Sequence, residues 1–387
     1  MALVRQSVVL SLLSVSTLRE RIATALTIVL SMAVVACVLV STLSVTAGIN
    51  REFRAGTAPD LAIVLPAQNG FEASSGILRS QIGTILDAPG IARDRKGNLL
   101  GDAELSLYVQ PTKHVFSGGA LHVRGMKAAG LAMRAPLRVV SGRMFESGRQ
   151  ELVIGTTAEH GFGLKVGDSV IMRNGTWPIV GAFEAAGVTG DELFGDADTL
   201  ATLITHQSAL GSVHVKLENP AKFAAFKRWL TTNPALHVSV QTQLEYNGLL
   251  AADQSQYFTA MAFFAGAIMS IGALFGSVNI LYGVVSARTR EMAILRGVGY
   301  EAVAVAGSIV FEALSLAGCG ALLGAALAWM LFDGREVMKN DIVYRCVVSP
   351  QLVLLGFTWV LVLAILGSIF PAVRAARLQV IAAMRVA

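Results

Sequence analysis

Residues 254–287 read QSQYFTAMAFFAGAIMSIGALFGSVNILYGVVSA and contain no Asp, Glu, Lys or Arg. Three other stretches, 22–50, 313–332 and 346–373, lack these residue types as well. A membrane-spanning helix needs about 20 mostly apolar residues, because the hydrocarbon core is roughly 30 Å thick. Each stretch meets that length, the third when it is extended backward past Glu312. The pattern predicts an integral membrane α-helical protein with four transmembrane helices.

A long polar segment separates the first apolar stretch from the second. Residues 61–65, 105–110 and 120–125 have the composition of strands, and Asn174-Gly175 between 168–172 and 177–183 is a hairpin signal. Farther on, a helix at 220–230 lies between the strands 213–217 and 238–241, as in a βαβ-like unit. We therefore predict a 1+3 layout, with a large α+β extracytoplasmic domain between helices 1 and 2.

The domain boundaries follow from these stretches. We expect a cytoplasmic or interfacial amphipathic helix at 1–21, transmembrane helices at 22–48, 254–286, 302–332 and 351–372, the α+β domain at 49–253, a cytoplasmic coupling segment at 287–301, a short outer loop at 333–350 and a cytoplasmic tail at 373–387. A cleaved signal peptide at the N-terminus is the alternative for the first helix. Arg19 and Arg21 interrupt that pattern and favour an anchor.

The distribution of charge predicts the orientation. Only 15% of residues are charged, against about 25% in soluble domains. Residues 51–253 contain 19 basic and 19 acidic residues, so this neutral domain offers no basic patch for nucleic acid. Arginines collect instead before helix 1, after helix 2 and after helix 4. By the positive-inside rule both termini are cytoplasmic, and we expect a multi-pass protein of the bacterial inner membrane.

Two features of the apolar helices suggest function. Residues 243–256 have helical character and run into helix 2, which favours one continuous helix over a flexible connector. Gly272 and Gly276 in helix 2, and Gly320 and Gly324 in helix 3, form G-x-x-x-G steps that let helix backbones approach closely. We expect these glycines at helix–helix contacts.

Residues 286–313, SARTREMAILRGVGYEAVAVAGSIVFEA, carry the most recognisable motif. The spacing R-x-x-E-x-A-x-L-R-x-x-G begins at Arg288 and ends at Gly299, and Glu312 follows near the start of helix 3. Together with the chain ending PAVRAARLQVIAAMR at 371–385, this resembles the FtsX/MacB-like, mechanotransmission-type family of ABC transporter permeases. The resemblance covers almost the whole chain. It implies that the segment after helix 2 docks a separate ATPase.

The resemblance implies which residues couple to the ATPase, and the G-x-x-x-G steps indicate residues for helix packing. The coupling residues are Arg288, Arg290, Glu291, Leu295, Arg296, Gly297 and Gly299. For packing and coupling inside the membrane, the candidates are Glu312 and the four glycines of the G-x-x-x-G steps, Gly272, Gly276, Gly320 and Gly324. Glu312 can act in transport or simply form an ion pair with an arginine of the coupling segment, because a buried carboxylate needs a partner. The arginines can also serve as lipid-headgroup anchors.

The resemblance also implies partners and an activity. We expect two copies of an ABC ATPase that bind ATP and Mg²⁺, a second permease of the same or a related chain, the lipid bilayer, and a periplasmic adaptor or lipid-binding protein as a further candidate. The expected activity is export or extraction of a lipid, lipoprotein, peptide or hydrophobic substrate, driven by force on the outer domain. The alternative is a non-transporting regulator that passes this motion to cell-wall hydrolases or signalling partners.

The sequence offers little support for chemistry in the chain itself. It has no G-x-x-x-x-G-K-[ST] phosphate loop and no G-x-S-x-G nucleophile motif, so we expect neither a catalytic residue nor a bound cofactor. All six histidines lie in the polar domain without a tight metal-ligand spacing, and no metal site is expected. The three cysteines lie within or beside apolar helices, where they serve packing.

Overall fold

The computed structural model describes residues 22–68, 70–74, 76–110, 120–134, 137–172, 175–203, 209–339 and 342–377. The chain divides into two compact units. The membrane unit comprises Met1–Ala47, Ser255–Arg335 and Cys346–Ala387, and the α+β unit comprises Gly48–Gln254 and Glu336–Arg345. The predicted N-terminal amphipathic helix, Asn174 of the hairpin turn, and the chain ending beyond 377 lie outside the described residues.

Four helices are long and apolar enough to cross a membrane, at the four stretches where the sequence predicts membrane-spanning segments. Helix α1 is Ile22–Arg54; the other three, which follow the α+β domain in the chain, are Gln243–Ala287, Ala302–Phe332 and Pro350–Ala376. Between the second and third of these lies a short helix, Thr289–Gly297. Apolar side chains such as Met32, Ala317 and Val360 form the buried core of the membrane unit. Many large apolar side chains stay exposed on the helix surfaces, as expected for a lipid environment.

The α+β unit is built on a ten-stranded mixed sheet. In chain order its strands are β1 (Leu61–Pro66), β3 (Gly101–Val109), β4 (Leu121–Met126), β5 (Arg138–Gly142), β6 (Leu152–Gly155), β7 (Ser169–Met172), β8 (Gly175–Glu184), β9 (Glu192–Asp196), β11 (Ser212–Lys216) and β12 (Val238–Thr242). The spatial order is β12-β1-β11-β3-β4-β9-β6-β8-β5, and β7 pairs with β8. Two short strands, β2 (Ile77–Leu78) and β10 (Ala209–Leu210), pair with each other.

Short helices cover the sheet. They are α2 (Arg79–Leu86), α3 (Ala128–Met133), α4 (Thr156–Phe162), α5 (Ala197–Ala201) and α6 (Phe223–Thr232). Short 3-10 segments lie at Gly187–Asp191, at Pro220–Lys222 and at Glu72–Ser74, the last of which we call the 3-10 turn. The main core combines strand residues with fully buried aromatic side chains, Trp177 and Phe226 among them. Strands β11 and β12 flank helix α6 and both pair antiparallel with β1, which lies between them. The predicted βαβ-like unit therefore has one strand inserted between its two parallel strands.

The segment between the last two apolar helices is more ordered than the short outer loop predicted for it. Strands β13 (Glu336–Lys339) and β14 (Ile342–Arg345) form an antiparallel pair that belongs to the α+β unit. Tyr344 of β14 is fully buried and stacks on Phe53, with 6.4 Å between the ring centroids. The pattern was missed because neither strand alternates clearly and each has only four residues.

The helix Gln243–Ala287 is a single element of 45 residues, which we call α7. At 1.5 Å per residue its length is about 68 Å, roughly twice the thickness of a hydrocarbon core. Its first residues, 243–254, belong to the α+β unit, and the rest belongs to the membrane unit. The prediction of a continuous helix in place of a flexible connector is confirmed. We call the three helices that follow it α8 (Thr289–Gly297), α9 (Ala302–Phe332) and α10 (Pro350–Ala376).

Candidate functional site

Polar side chains at alternating positions of β3 share one face of the sheet. Residues 102, 104, 106 and 108 are Asp, Glu, Ser and Tyr, and period-two spacing places them side by side. The strand register brings neighbours to them: Ser106 pairs with Arg124, and Ser212 pairs with Glu104. Asp102, Glu104 and Ser106 are all buried. The sheet therefore carries a buried polar cluster in the α+β unit.

Arg124 is the centre of this cluster. Its Nε and Nη2 donate to the two carboxylate oxygens of Glu192, each at 2.8 Å. Its Nη1 donates to Glu72 and to Glu104, with distances of 3.1 Å to Oε2 of each. A guanidinium has five donors in a fixed plane, which suits simultaneous binding of several carboxylates. Arg124 thereby joins β4, β9, β3 and the 3-10 turn.

A second guanidinium completes the network. Arg134 donates to both carboxylate oxygens of Glu104, at 2.7 and 2.6 Å. Burial alone would raise the pKa of Glu104, but Arg134, His214 and Arg124 together hold that pKa at about 2. Burial likewise opposes ionisation of Glu72, but Arg124 and His214 hold its pKa well below the usual range. Three ionised carboxylates, Glu72, Glu104 and Glu192, thus share two guanidinium groups.

Asp102 lies at the edge of the network without an arginine. Its Oδ2 accepts the backbone N–H groups of Lys127, at 2.6 Å, and Gly130, at 3.2 Å. Burial, followed by repulsion from Glu104, raises its pKa to about 6. Its charge therefore changes in a pH range where those of Glu72 and Glu104 do not.

Ser106, His122 and Glu192 form a hydrogen-bonded chain. Ser106 Oγ lies 2.8 Å from His122 Nε2, and His122 Nδ1 lies 3.3 Å from Glu192 Oε1. The order is that of a nucleophile, a base and an orienting acid. However, Glu192 is already neutralised by the bidentate contact with Arg124, which weakens its hold on a protonated imidazole. Burial also lowers the pKa of His122. We assign this chain a structural role.

Glu72, Glu104 and His214 could supply three metal ligands, because one ligand atom from each lies within 4.8 Å of the others. His214 Nε2 is 2.5 Å from Glu72 Oε1, which also accepts from Ser212 Oγ at 2.7 Å. The position that a cation would take is held by Arg124, whose Nη1 contacts both carboxylates. The residues present therefore fit an ion-pair network better than a metal site.

A cavity of about 350 Å³ opens above the network, within the α+β unit. Glu72, His122, Arg124 and Glu192 are among its lining residues. The start of α7 forms another wall. There, Tyr246 accepts a hydrogen bond at its hydroxyl from the backbone N–H of Glu72, at 3.1 Å.

One residue of α7 also binds the end of α1 within the same unit. Asn247 Nδ2 donates to the carbonyl oxygen of Phe53 at 2.8 Å and to Thr57 Oγ1 at 3.0 Å. Asn247 Oδ1 accepts from Gln243 Nε2 at 2.9 Å. The last carbonyls of a helix lack partners within that helix, and the Phe53 oxygen accepts from Asn247 and, at 3.4 Å, from Thr57 Oγ1. Asn247 therefore connects the start of α7 by hydrogen bonds to the end of α1 and to the residues after it.

The structure divides the predicted coupling residues into two groups. Arg288 is buried, with Nη1 at 3.6 Å from Glu312 Oε2. Arg296 Nη1 donates to the carbonyl oxygen of Ala376 at 2.9 Å, and Leu295 packs on the core of the membrane unit. Arg290 and Glu291 are exposed. The first group anchors α8 to the other helices, and the second faces away from them.

Gly299 ends α8. Its φ is 105°, a value that glycine adopts without strain. The N–H of Tyr300 bonds to the carbonyl oxygen of Leu295 and that of Gly299 to Arg296, each at 3.2 Å. These bonds form a Schellman motif, the usual glycine-terminated helix end. Gly297 is the last residue of the helix itself, and the left-handed turn that follows the helix falls on Gly299.

The two G-x-x-x-G steps differ in their surroundings. A Cβ on Gly320 would lie 2.6 Å from the Val29 carbonyl oxygen, and one on Gly324 would lie 2.9 Å from Ala36 Cβ. These glycines therefore let α9 pack closely on α1. A Cβ on Gly272 or Gly276 would meet nothing within 4 Å, so within the described part of the chain these two glycines contact no other element. A contact through Gly272 and Gly276 stays a prediction.

The buried polar cluster was not predicted from the sequence, although a signal was present. Acidic and hydroxyl side chains alternate along β3, and His122 and Arg124 are two apart in β4. Such alternation also describes a solvent-exposed strand face, which is the more common case. In the folded protein, the 3-10 turn, α3 and the start of α7 cover that face.

These features define a class of protein. It is an integral membrane protein with an α+β domain inserted between its first and second apolar helices and a short arginine-bearing helix after the second. The profile of the MacB-like periplasmic core domain matches residues 22–233. The profile of the FtsX-like permease C-terminal region matches residues 263–380. The chain belongs to the FtsX/MacB-like family of ABC transporter permeases, whose permease domains lack an ATPase of their own and generally work with an ABC ATPase.

Two solved structures resemble the chain. The periplasmic region of MacB from Actinobacillus actinomycetemcomitans is 15% identical and covers 50% of this chain and 94% of its own, with a TM-score of 0.39. The extracellular domain of the noncanonic ABC-type transporter YknZ from Gram-positive bacteria is also 15% identical and covers 47% and 99%, with a TM-score of 0.36. No curated protein matches the chain.

Proposed function

We propose that the chain is the permease subunit of an inner-membrane ABC transporter that transmits force from a separate ATPase to the α+β domain. Two ATPase copies bind ATP and Mg²⁺ and dock on α8, and a second permease completes the complex. Motion of α7 then drives export or extraction of a lipid, lipoprotein, peptide or hydrophobic substrate. Both termini are cytoplasmic in this arrangement, and a periplasmic adaptor or lipid-binding protein receives or delivers the substrate.

The observation that carries this proposal is the unbroken helix α7 with α8 directly after it. Only Arg288 separates the two helices. An α-helix resists bending because each turn is held by backbone hydrogen bonds, so displacement at one end reaches the other. The Arg288–Glu312 ion pair and the Arg296–Ala376 hydrogen bond anchor α8 to α9 and α10. A push on α8 would thus move several helices together.

The docking surface can be tested by separating exposed from anchoring residues. Arg290→Glu reverses an exposed charge and should abolish co-purification with the ATPase while the permease stays folded. Arg138→Glu, an equally exposed change in the α+β unit, is the matched control and should leave co-purification intact. Loss of the ATPase from both variants, or from neither, would contradict docking at Arg290.

The role of α7 can be tested at Gly248, which lies in the α+β part of the helix. A Cβ at this position would meet nothing within 4 Å, so Gly248→Ala keeps the fold. Alanine also favours the α-helix more than glycine does. Gly248→Pro removes a backbone hydrogen bond and kinks the helix, at a cost of about 3 kcal/mol. The two variants therefore differ in helix continuity at the same position.

The measurement uses nitroxide labels at Glu218→Cys and Leu323→Cys in a background without the three native cysteines, on the permease bound to its ATPase. We expect vanadate trapping, which holds ADP in the ATPase after ATP hydrolysis, to change the label distance in the parent and in Gly248→Ala, but not in Gly248→Pro. An unchanged response in Gly248→Pro, with ATP binding intact, would refute force transmission along α7.

A further inference from the structure

The cavity of the α+β unit has an excess of negative charge. Its lining includes the carboxylates of Glu72, Asp191, Glu192 and Asp253 and the guanidinium groups of Arg124 and Arg134. Both arginines are engaged by carboxylates of the network, as described above. An incoming anion would have to displace these contacts and would meet the remaining carboxylates, whereas a cation is attracted by the net charge of the lining. The cavity therefore favours a positively charged guest.

Aromatic rings line the same cavity and are accessible. Phe71 is 49% exposed and Tyr108 is 54% exposed, although large apolar side chains normally avoid water. The Tyr108 ring stacks on that of His122, with centroids 4.7 Å apart and an interplanar angle of 9°. This contact fixes the orientation of the Tyr108 ring. A fixed, exposed aromatic face beside carboxylates attracts organic cations through the ring quadrupole.

Size and apolar lining restrict the guest further. A volume of about 350 Å³ lies near the lower end of small-molecule sites. Apolar side chains, including Met133, Leu137 and Leu250, make up another part of the wall. Gln243 also lines the cavity and adds a polar group to its wall.

We propose that this cavity binds a small organic cation with an apolar body, its ammonium group between Asp253, Tyr108 and the network carboxylates. The apolar body lies against Leu137 and Leu250. The site belongs to the chain alone and does not depend on ATPase-driven force transmission, so each proposal can fail without the other. Because Tyr246 and Asn247 of α7 also line the cavity, the guest would contact that helix directly.

The experiment compares three probes with one apolar body: 4-phenylbutylamine, 4-phenylbutan-1-ol and 4-phenylbutyrate. Binding to the full chain in lipid nanodiscs is measured by saturation-transfer NMR and calorimetry at pH 7.5, with empty nanodiscs subtracted. We expect the amine to bind at least about tenfold more tightly than the alcohol, with the butyrate weakest. Equal binding of amine and alcohol, or preference for the butyrate, would overturn the proposal.

Variants at accessible positions of the lining locate the binding. Tyr108→Ala and Asp253→Asn change accessible side chains and leave the arginine contacts in place, and each should weaken amine binding about tenfold. Glu218→Gln, an exposed carboxylate outside the cavity lining, should have no effect. Amine binding that survives both cavity variants would show adsorption to the bilayer or another surface. Displacement of the amine by Ca²⁺ at constant ionic strength would indicate a metal site instead, and would also overturn the proposal.

Discussion

Replacing Asp102 with Asn should stabilise the α+β unit at neutral pH and not at acid pH. The pKa of Asp102 rises from 3.8 to about 6, first through burial and then through repulsion from Glu104. The folded state therefore binds the Asp102 proton more tightly than the unfolded state does. Stability is highest while Asp102 is protonated, and it falls as the pH rises from about 4 to 6.

The magnitude follows from the difference between the two pKa values. A change from 3.8 to about 6 corresponds to about 3 kcal/mol lost above pH 6. Asn has the shape and charge of the protonated carboxyl group, and its oxygen can still accept from the backbone N–H of Lys127. Asp102→Asn should therefore recover up to about 3 kcal/mol at pH 7.5. Below pH 4 the variant and the parent should be equally stable.

Hydrogen exchange with mass spectrometry measures this on the full chain. If exchange requires opening of the sheet, peptides from Gly101–Val109 and Leu121–Met126 should exchange up to about 100-fold more slowly in the variant at pH 7.5, after correction for intrinsic rates. Asp94→Asn is the control of opposite sign. Hydrogen bonds from Asn98 lower the pKa of Asp94, so its ionised form stabilises the fold, and stability is lost as the pH falls. Equal protection of Asp102→Asn and parent at pH 7.5 would refute the reasoning.

Three further changes test other contacts. Gly324→Val places a side chain against Ala36 on α1, so we expect a loss of about 1–3 kcal/mol in stability, seen as a lower thermal midpoint of the full chain. Gly272→Val should not lower the midpoint, and equal effects of the two changes would contradict the packing difference. Arg134→Met leaves the fully buried Glu104 with one arginine. We therefore expect the free energy of unfolding to fall by about 3 kcal/mol at pH 7.5 and by less at pH 5, as measured by hydrogen exchange of β3. Asn247→Ala removes two hydrogen bonds to residues 53 and 57 and should cost about 1–3 kcal/mol, seen as faster exchange at the start of α7; unchanged exchange would remove its fastening role.

Much of the architecture could be predicted from local sequence. Charge-free stretches identified four apolar helices because burying a charge in lipid is costly, whatever the rest of the fold does. The strand Leu61–Pro66 was evident from its continuous apolar composition. The hairpin of β13 and β14 was not, since its short strands gain stability from the contact between Tyr344 and Phe53, residues far apart in the chain.

The arginine-bearing motif after helix 2 was also visible in the sequence, and it pointed to the family that the comparisons show. The sequence could not say which of its residues face outward. Arg288 and Arg290 are two positions apart and chemically identical, but one is buried against Glu312 and the other is exposed. That distinction depends on how α8 packs on α9, which no local pattern encodes.

The distribution of charge along the chain is enough to assign segments to the membrane or to the α+β domain, because it fixes the solvent of each segment. Burial of the polar face of β3 and β4, in contrast, depends on the folded arrangement. Ionised side chains can leave water only when partners neutralise them, and those partners, Glu72, Arg134 and Glu192, come from distant parts of the chain. The strand register brings them together around Arg124, and with them the cavity.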